Sequence, residues 1–214
     1  MNKENYPHLP KEYPSRKFDE KDIDPDPIKQ FEKWFNEALK AELKEPNAMA
    51  LATSTKTGKP SVRIVLLKIY NENGFIFFTN YESRKGNELA QNPIAALVFW
   101  WGKMGRQIRI EGSVEMISRE ESEEYFQSRP FESQISAWAS AQSRIVENRD
   151  SLEKKYHEIK EQYEGKTVPC PPHWGGYCLT PNLFEFWQGW ANRLHDRILY
   201  TREKIGWKIE RLAP

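Results

Sequence analysis

Apolar residues first recur at helical spacing in "DPDPIKQFEKWFNEALKAEL", where Ile28, Phe31, Phe35 and Ala38 share a face behind two Asp-Pro pairs suited to a helix start. The pattern then changes period. "AMALATST", "SVRIVLLKIY" and "GFIFFT" are β-type runs parted by the turn clusters "KTGKP" and "NENG", predicting three strands of an antiparallel meander. "IAALVFWW" and "RQIRIEGSVEMI", joined across "GKMG", extend the sheet to five. Ser83 is placed to cap a helix over "RKGNELAQ", and Ser118 with Glu121 has capping-box spacing ahead of "EEYFQS". "FESQISAWASAQ" and "NRDSLEKKYHEIKEQY" predict two more helices, the second charged enough to be a solvated face. "TVPCPPHW" reads as a rigid extended connector before the β-rich "GGYCL" and "LFEFWQG". Strands joined by short turns, with helices inserted rather than alternating, predict an α+β fold built on an antiparallel barrel.

The stretch "FWQGWANRLHDR" fits a strand better than a helix. Period-two alternation puts Arg193, His195 and Arg197 on one face, with Leu194, Asp196, Ile198 and Tyr200 on the other. "ILYTRE", a turn at "KIG" and "WKIERL" continue it as two β runs with a glycine-containing connection. A solvated basic edge strand would show the same alternation.

At 214 residues the chain suits one domain. Residues 1–24, polar and punctuated by proline, are expected to form a mobile arm, and residues 25–214 the folded domain. A net charge of +1 supplies no global field for nucleic acid or an anionic membrane, so any anion site must be local. No apolar leader and no membrane-length apolar run is present, which suits a cytoplasmic protein. Cys170 and Cys178 match neither a redox nor a zinc spacing, and no metal site is expected. The 8 Trp and 11 Phe fit an aromatic core or planar ligands stacked on rings, and composition leaves both open.

Dinucleotide, P-loop, zinc-protease and nucleophile-elbow motifs are all missing. The chemistry left is basic and hydroxylic. Arg63 and Lys68 flank an apolar run at an odd separation, which on a regular strand puts them on opposite faces, so a bulge or separate ligands is implied. Arg84 and Lys85 open a helix, where free N–H groups favour an anion; an exposed basic pair is the plainer reading. Tyr125, Arg129 and Ser133 follow at intervals of four across Pro130, a guanidinium between two hydroxyls as a phosphate monoester requires. A surface arginine with two capping groups would look alike. His8, His157 and His173 have no supporting constellation.

Taken in order, "RIVLLK", "SRK", "RQIRIEG", "SRP", "SQISAWASAQS", "FWQG" and "RLHDRILYTRE…WKIERLAP" resemble the pyridoxamine/pyridoxine 5′-phosphate oxidase family from about Asp26 to Pro214. The resemblance implies a split-barrel homodimer with FMN at the subunit interface, oxidising pyridoxine 5′-phosphate or pyridoxamine 5′-phosphate to pyridoxal 5′-phosphate while O2 becomes H2O2. It implies FMN contacts at Arg63, Ile64, Val65, Leu66, Lys68, Phe78, Thr79, Arg84, Lys85, Gln107, Gln142, Ser143, Trp187 and Arg197. It implies substrate contacts at Lys68, Tyr125, Arg129 and Ser133 around the phosphate, with Arg193 and His195 beside the pyridine ring as the catalytic pair. Three positions depart from the family's usual residues: Phe78 for Tyr, Phe131 for Arg and Ser136 for Gly. In the arm only Lys11 and Tyr13 echo the family's basic lid. The rival readings are a split-barrel flavoprotein that acts on another substrate or only binds FMN, and a nucleic-acid-binding barrel, which the neutral net charge disfavours.

Overall fold

The computed structural model describes residues 17–214. In chain order the elements are α1 (Pro27–Lys40), β1 (Ala48–Ser54), β2 (Pro60–Leu66), β3 (Ile69–Asn71), β4 (Gly74–Asn80), α2 (Arg84–Gln91), β5 (Ile94–Trp101) and β6 (Arg106–Met116). There follow α3 (Arg119–Gln127), α4 (Phe131–Ala139), α5 (Arg149–Tyr163), β7 (Trp174–Gln188), β8 (Asp196–Arg202) and β9 (Trp207–Arg211). The strands form one hydrogen-bonded sheet of order β2-β1-β5-β6-β7-β4-β3, with β8 paired to β7 and β9 to β8. The expected α+β class, antiparallel with inserted helices, is present. No described helix is long and apolar enough to cross a membrane.

The chain divides into two compact units, one formed by the N-terminal segment to Pro46 with 99–109 and 183–214, the other by 47–98 and 110–182. In the first, Asp26 caps α1 by accepting from the Ile28 N–H, and Pro27 occupies the first turn, where a missing N–H costs nothing. This helix buries Phe31, Trp34 and Ala38, with Trp34 edge-on to Phe186 at 5.4 Å and Phe31 against Phe99 at 5.2 Å. β7 pairs with β8 and β8 with β9, the turn between the last two using Gly206 at φ 78°, a conformation open to glycine.

Packing in this unit begins ahead of residue 25. Residues 1–16 of the expected arm lie outside the described residues. Among the described residues of that arm, Phe18 is buried on Trp34, and its N–H donates to Asp196. Arg211 pairs with Glu20 at 2.7 Å and with Asp196 at 2.6 Å.

In the second unit β1 pairs with β2 and β5, and β4 pairs with β3 and β7. Ser83 and the Ser118–Glu121 capping box start α2 and α3 as their spacing predicts. A satellite core of Phe126, Ile135, Val168, Cys170 and Trp174 lies beneath α3 and α4. α5 buries no residue fully, as its charge predicts.

Three expectations need correction. "SVRIVLLKIY" is not one strand: it breaks at Leu67 and Lys68, where the Leu67 N–H turns to Asn47 and the Lys68 N–H to Ile76 of β4. "GGYCL" and "LFEFWQG" are a single strand, β7. Arg193, His195 and Arg197 do not share a strand face. Residues Ala191–Arg193 form a 3-10 turn with Asn192 at φ 55° and Arg193 at φ 61°, and β8 starts only at Asp196. The alternation was correct downstream of that point, since Ile198 and Tyr200 are buried.

Candidate active site

Pro130 ends the α3 segment and opens α4, its carbonyl accepting from the N–H groups of Ser133 and Gln134. The resulting bend brings Tyr125, Arg129 and Ser133 to one cavity of about 500 Å³, which Lys68, Phe78 and Trp174 also line. Phe78 and Tyr125 stack at 3.8 Å between centroids, and Trp174 lies parallel to Phe78 at 5.4 Å. The Arg129 guanidinium sits 4.6 Å over the Trp174 ring and 5.6 Å from that of Phe126. Its Nη1 is buried and has no hydrogen-bond partner, and burial pulls the guanidinium pKa down from its ordinary value. A desolvated cation lacking one bond, set among hydroxyl groups, is a site for an anion with several oxygens.

A second cavity of about 570 Å³ is lined by Arg63, Ile64, Val65 and Leu66 of β2, by Arg84 and Lys85 of α2, and by Ser143. Leu66, Lys68, Phe78, Thr79 and Gln142 line both cavities. The break at Leu67 therefore lets Arg63 and Lys68 serve one cavity, which an unbroken strand would forbid. Lys85 is buried, contrary to the plain reading of an exposed pair. Its Nζ donates to Thr79 Oγ1 and Gln142 Oε1, each at 3.0 Å, and to Ser83 Oγ at 3.3 Å. All three acceptors are neutral. Burial, with the charge of Arg63 adding to it, lowers the Lys85 pKa to about 8.

Glu88 gathers the remaining cations on this side. It accepts from Thr53 and Ser61 and pairs with Arg84 at 2.9 Å and Arg63 at 3.4 Å. Burial alone would raise its pKa, but the bonds from Ser61, Thr53 and Arg84 prevail and hold it at about 2. Arg63 also donates to Leu51 O at 3.1 Å and Thr53 Oγ1 at 2.6 Å.

Gln107, Trp187, Arg193, His195 and Arg197 line neither cavity. His195 packs on Trp187 at 4.6 Å, and its Nδ1 accepts from the Trp190 N–H at 3.1 Å. Burial and the neighbouring Arg193 charge lower its pKa, so the neutral ring, with its proton on Nε2, is favoured. Arg197 is fixed by Glu185 at 2.7 Å, and the same carboxylate takes Arg109 at 2.8 Å.

Sequence reasoning overlooked Glu185, Glu88, Trp174, Asn80 and Ser140. Glu185 carried a signal, as a lone acid inside the apolar run "LFEFW" that, when buried, calls for a cation or several hydrogen-bond donors. Of the departures, Phe78 and Ser136 both line the first cavity, and the Ser136 hydroxyl is turned to Glu132 O at 2.8 Å. Phe131 packs on the satellite core.

An antiparallel sheet of this strand order with inserted helices belongs to the split-barrel class. Residues 35–163 match the family described as pyridoxamine 5′-phosphate oxidase, and residues 174–214 the pyridoxine 5′-phosphate oxidase C-terminal dimerisation region. Curated relatives called pyridoxine/pyridoxamine 5′-phosphate oxidase include one from a Cyanothece species, 52% identical over 96% of this chain and 97% of its own. Another, from Burkholderia mallei, is 56% identical over 94% of this chain and 95% of its own. Among solved structures, PhzG from Burkholderia lata 383, in complex with tetrahydrophenazine-1-carboxylic acid, aligns with a TM-score of 0.86 at 33% identity, covering 91% of this chain and 95% of that one. The chain belongs to the pyridoxine/pyridoxamine 5′-phosphate oxidase family and is an oxidoreductase.

Proposed function

We propose that the protein is an FMN-dependent oxidase, converting pyridoxine 5′-phosphate or pyridoxamine 5′-phosphate to pyridoxal 5′-phosphate with reduction of O2 to H2O2. The observation that carries this reading is the orphaned Nη1 of Arg129 in a cavity lined by Tyr125, Ser133 and Lys68. A phosphate monoester supplies the missing acceptor and oxygens for both hydroxyls.

The second cavity suits FMN. Its donor set of Arg63, Arg84 and Lys85 fits one phosphate, Gln142 and Ser143 offer polar contacts, and the residues shared between cavities would bring cofactor and substrate side by side. Absence of a dinucleotide fingerprint favours FMN over FAD. When bound, the flavin supplies the hydride acceptor and the route to O2.

The chain's own residues orient and exclude. Arg129, Tyr125, Ser133 and Lys68 would anchor the phosphate and so fix the distance of the substrate's exocyclic carbon from the cofactor. Arg193 and His195 would face the pyridine ring, the neutral imidazole offering its Nε2 proton as a hydrogen-bond donor. We place this pair, with Gln107, Trp187 and Arg197, on the second copy of a homodimer, a reading supported by the match of residues 174–214 to a dimerisation region. Unpaired Cys170 and Cys178 suit a reducing cytoplasm.

The test is anaerobic addition of pyridoxine 5′-phosphate to the purified holoprotein while flavin absorbance is followed. Bleaching that recovers in air is expected. An unbleached spectrum with this substrate and with pyridoxamine 5′-phosphate would reject the reaction.

A further inference from the structure

The connector ahead of β7, residues 167–173, contains three prolines and forms no strand. Proline carries no N–H, so such a segment cannot join a ladder and its carbonyls need other donors. Four consecutive carbonyls find them on side chains of the α3–α4 region. Gln127 Nε2 donates to Val168 O at 2.9 Å, and Trp138 Nε1 to Pro169 O at 2.7 Å. Arg119 takes the next two: Nη2 donates to Cys170 O at 2.6 Å and Nη1 to Pro171 O at 3.0 Å. Nη1 also reaches Trp174 O at 3.2 Å, and Nε pairs with Glu123 at 2.7 Å.

Arg119 occupies the first position of α3, where the helix dipole disfavours a cation. A surface pair with Glu123 would return well under the cost of ordering both side chains. The three carbonyls account for its place better. They belong to the turn that delivers Trp174, closed by the Trp174 N–H to Pro171 O at 3.1 Å. Trp174 is the platform under Arg129 and lies parallel to both Phe78 and Tyr125, with ring centroids 5.4 and 6.3 Å away. The helix that carries Tyr125 thus also holds, through Arg119, the ring on which Arg129 rests.

We propose that Arg119 is a positioning residue for the substrate's phosphate: by clamping the connector it sets Trp174, and through Trp174 the Arg129 guanidinium. This rests on the reading of the first cavity as a phosphate site. Without the clamp, Trp174 and Arg129 sample more positions, and the loss falls on binding of the phosphate rather than on the reacting ring.

The test compares kcat and KM for pyridoxine 5′-phosphate and for pyridoxine in the holoenzyme and its Arg119→Met, Arg119→Lys and Arg129→Ala variants. Arg119→Met is expected to lower kcat/KM for the phosphorylated substrate about tenfold, chiefly through KM, with less than about a twofold change for pyridoxine. Flavin content should match the wild type. Arg119→Lys keeps the charge but not the fork, and is expected to fall between the two. Should Arg119→Met fail to fold, the same selectivity is read from Arg119→Lys. Equal losses on both substrates, or no loss, alongside a phosphate-selective loss in Arg129→Ala, would overturn the role of Arg119 alone. An unselective Arg129→Ala would remove the phosphate reading and this inference with it.

Discussion

Lys85 is a buried cation whose acceptors Thr79, Ser83 and Gln142 are all neutral, and that condition gives a pH dependence of definite sign. Its folded pKa of about 8 lies below the ordinary 10.5, so between those values the unfolded chain holds a proton that the folded chain lacks. Over that window this group makes the cofactor-free protein more stable as pH rises. A phosphate bound beside Lys85 needs the proton back, so its affinity must fall over the same window. We predict that the dissociation constant for FMN, titrated into apoprotein by fluorescence, rises by up to about tenfold per pH unit above pH 8. Lys85→Met should bind FMN more weakly and lose this slope; a slope that survives in the variant would assign the titration to another group. Arg129 allows a second prediction at this scale. A hydrogen bond to a charged group is worth about 1.5–3 kcal/mol, so Arg129→Ala should cost roughly tenfold to a hundredfold in kcat/KM for pyridoxine 5′-phosphate and far less for pyridoxine. Arg193→Ala should instead lower kcat on both substrates. Steady-state kinetics on the two substrates would expose an error in either assignment.

Among the elements, α2 depends on one carboxylate for its attachment. Glu88 joins α2 to Thr53 of β1 and to Ser61 and Arg63 of β2, and its pKa of about 2 lies below the ordinary 4.5. Stability from this depression is fully present above pH 4.5 and is lost as pH falls toward 2. Glu88→Gln should therefore lower stability at pH 7 by about 1–3 kcal/mol, and the difference from wild type should shrink below pH 4.5. Urea unfolding at pH 7 and pH 3.5 measures both; an undiminished gap at low pH would contradict the assigned role. Helices of this kind were legible because their starts are local: Ser83, Ser118 with Glu121, and Asp26 each cap the helix that follows them. The break at Leu67 was only half legible. The odd spacing of Arg63 and Lys68 implied a bulge or separate ligands, whereas the cause of the break is the pull of Asn47 and Ile76, residues remote in sequence. The turn at Asn192 and Arg193 was hard to read, because asparagine is a weaker signal of positive φ than glycine, arginine is none, and period-two alternation survives across it by chance. Tyr125, Arg129 and Ser133 were readable as a group because helical spacing and one proline fix their relation, whereas Trp174 joins them only through tertiary packing.

At the scale of the whole molecule, the residues implied for one reaction fall into two sets. Lys68, Tyr125, Arg129 and Ser133 line one cavity, while Arg193, His195 and Arg197 line neither cavity of that unit. If a homodimer completes each site with the second set from the other copy, then Arg129→Ala and Arg193→Ala damage complementary halves. Mixing the two variants under conditions that allow subunit exchange should give heterodimers in which one of the two sites carries both substitutions and the other carries neither. Random exchange makes half of the dimers mixed, so about a quarter of all sites regain the wild-type residue set. We predict that equal amounts of the two nearly inactive proteins recover roughly a quarter of wild-type activity on pyridoxine 5′-phosphate. Each variant taken alone through the same exchange should stay at its own low level, which excludes refolding as the source of the gain. A site built within one copy behaves otherwise, since every site would then retain one substitution whatever its partner. Activity of the mixture no greater than the mean of the two variants, with exchange verified by differently tagged chains, would show that the two sets act within a single copy.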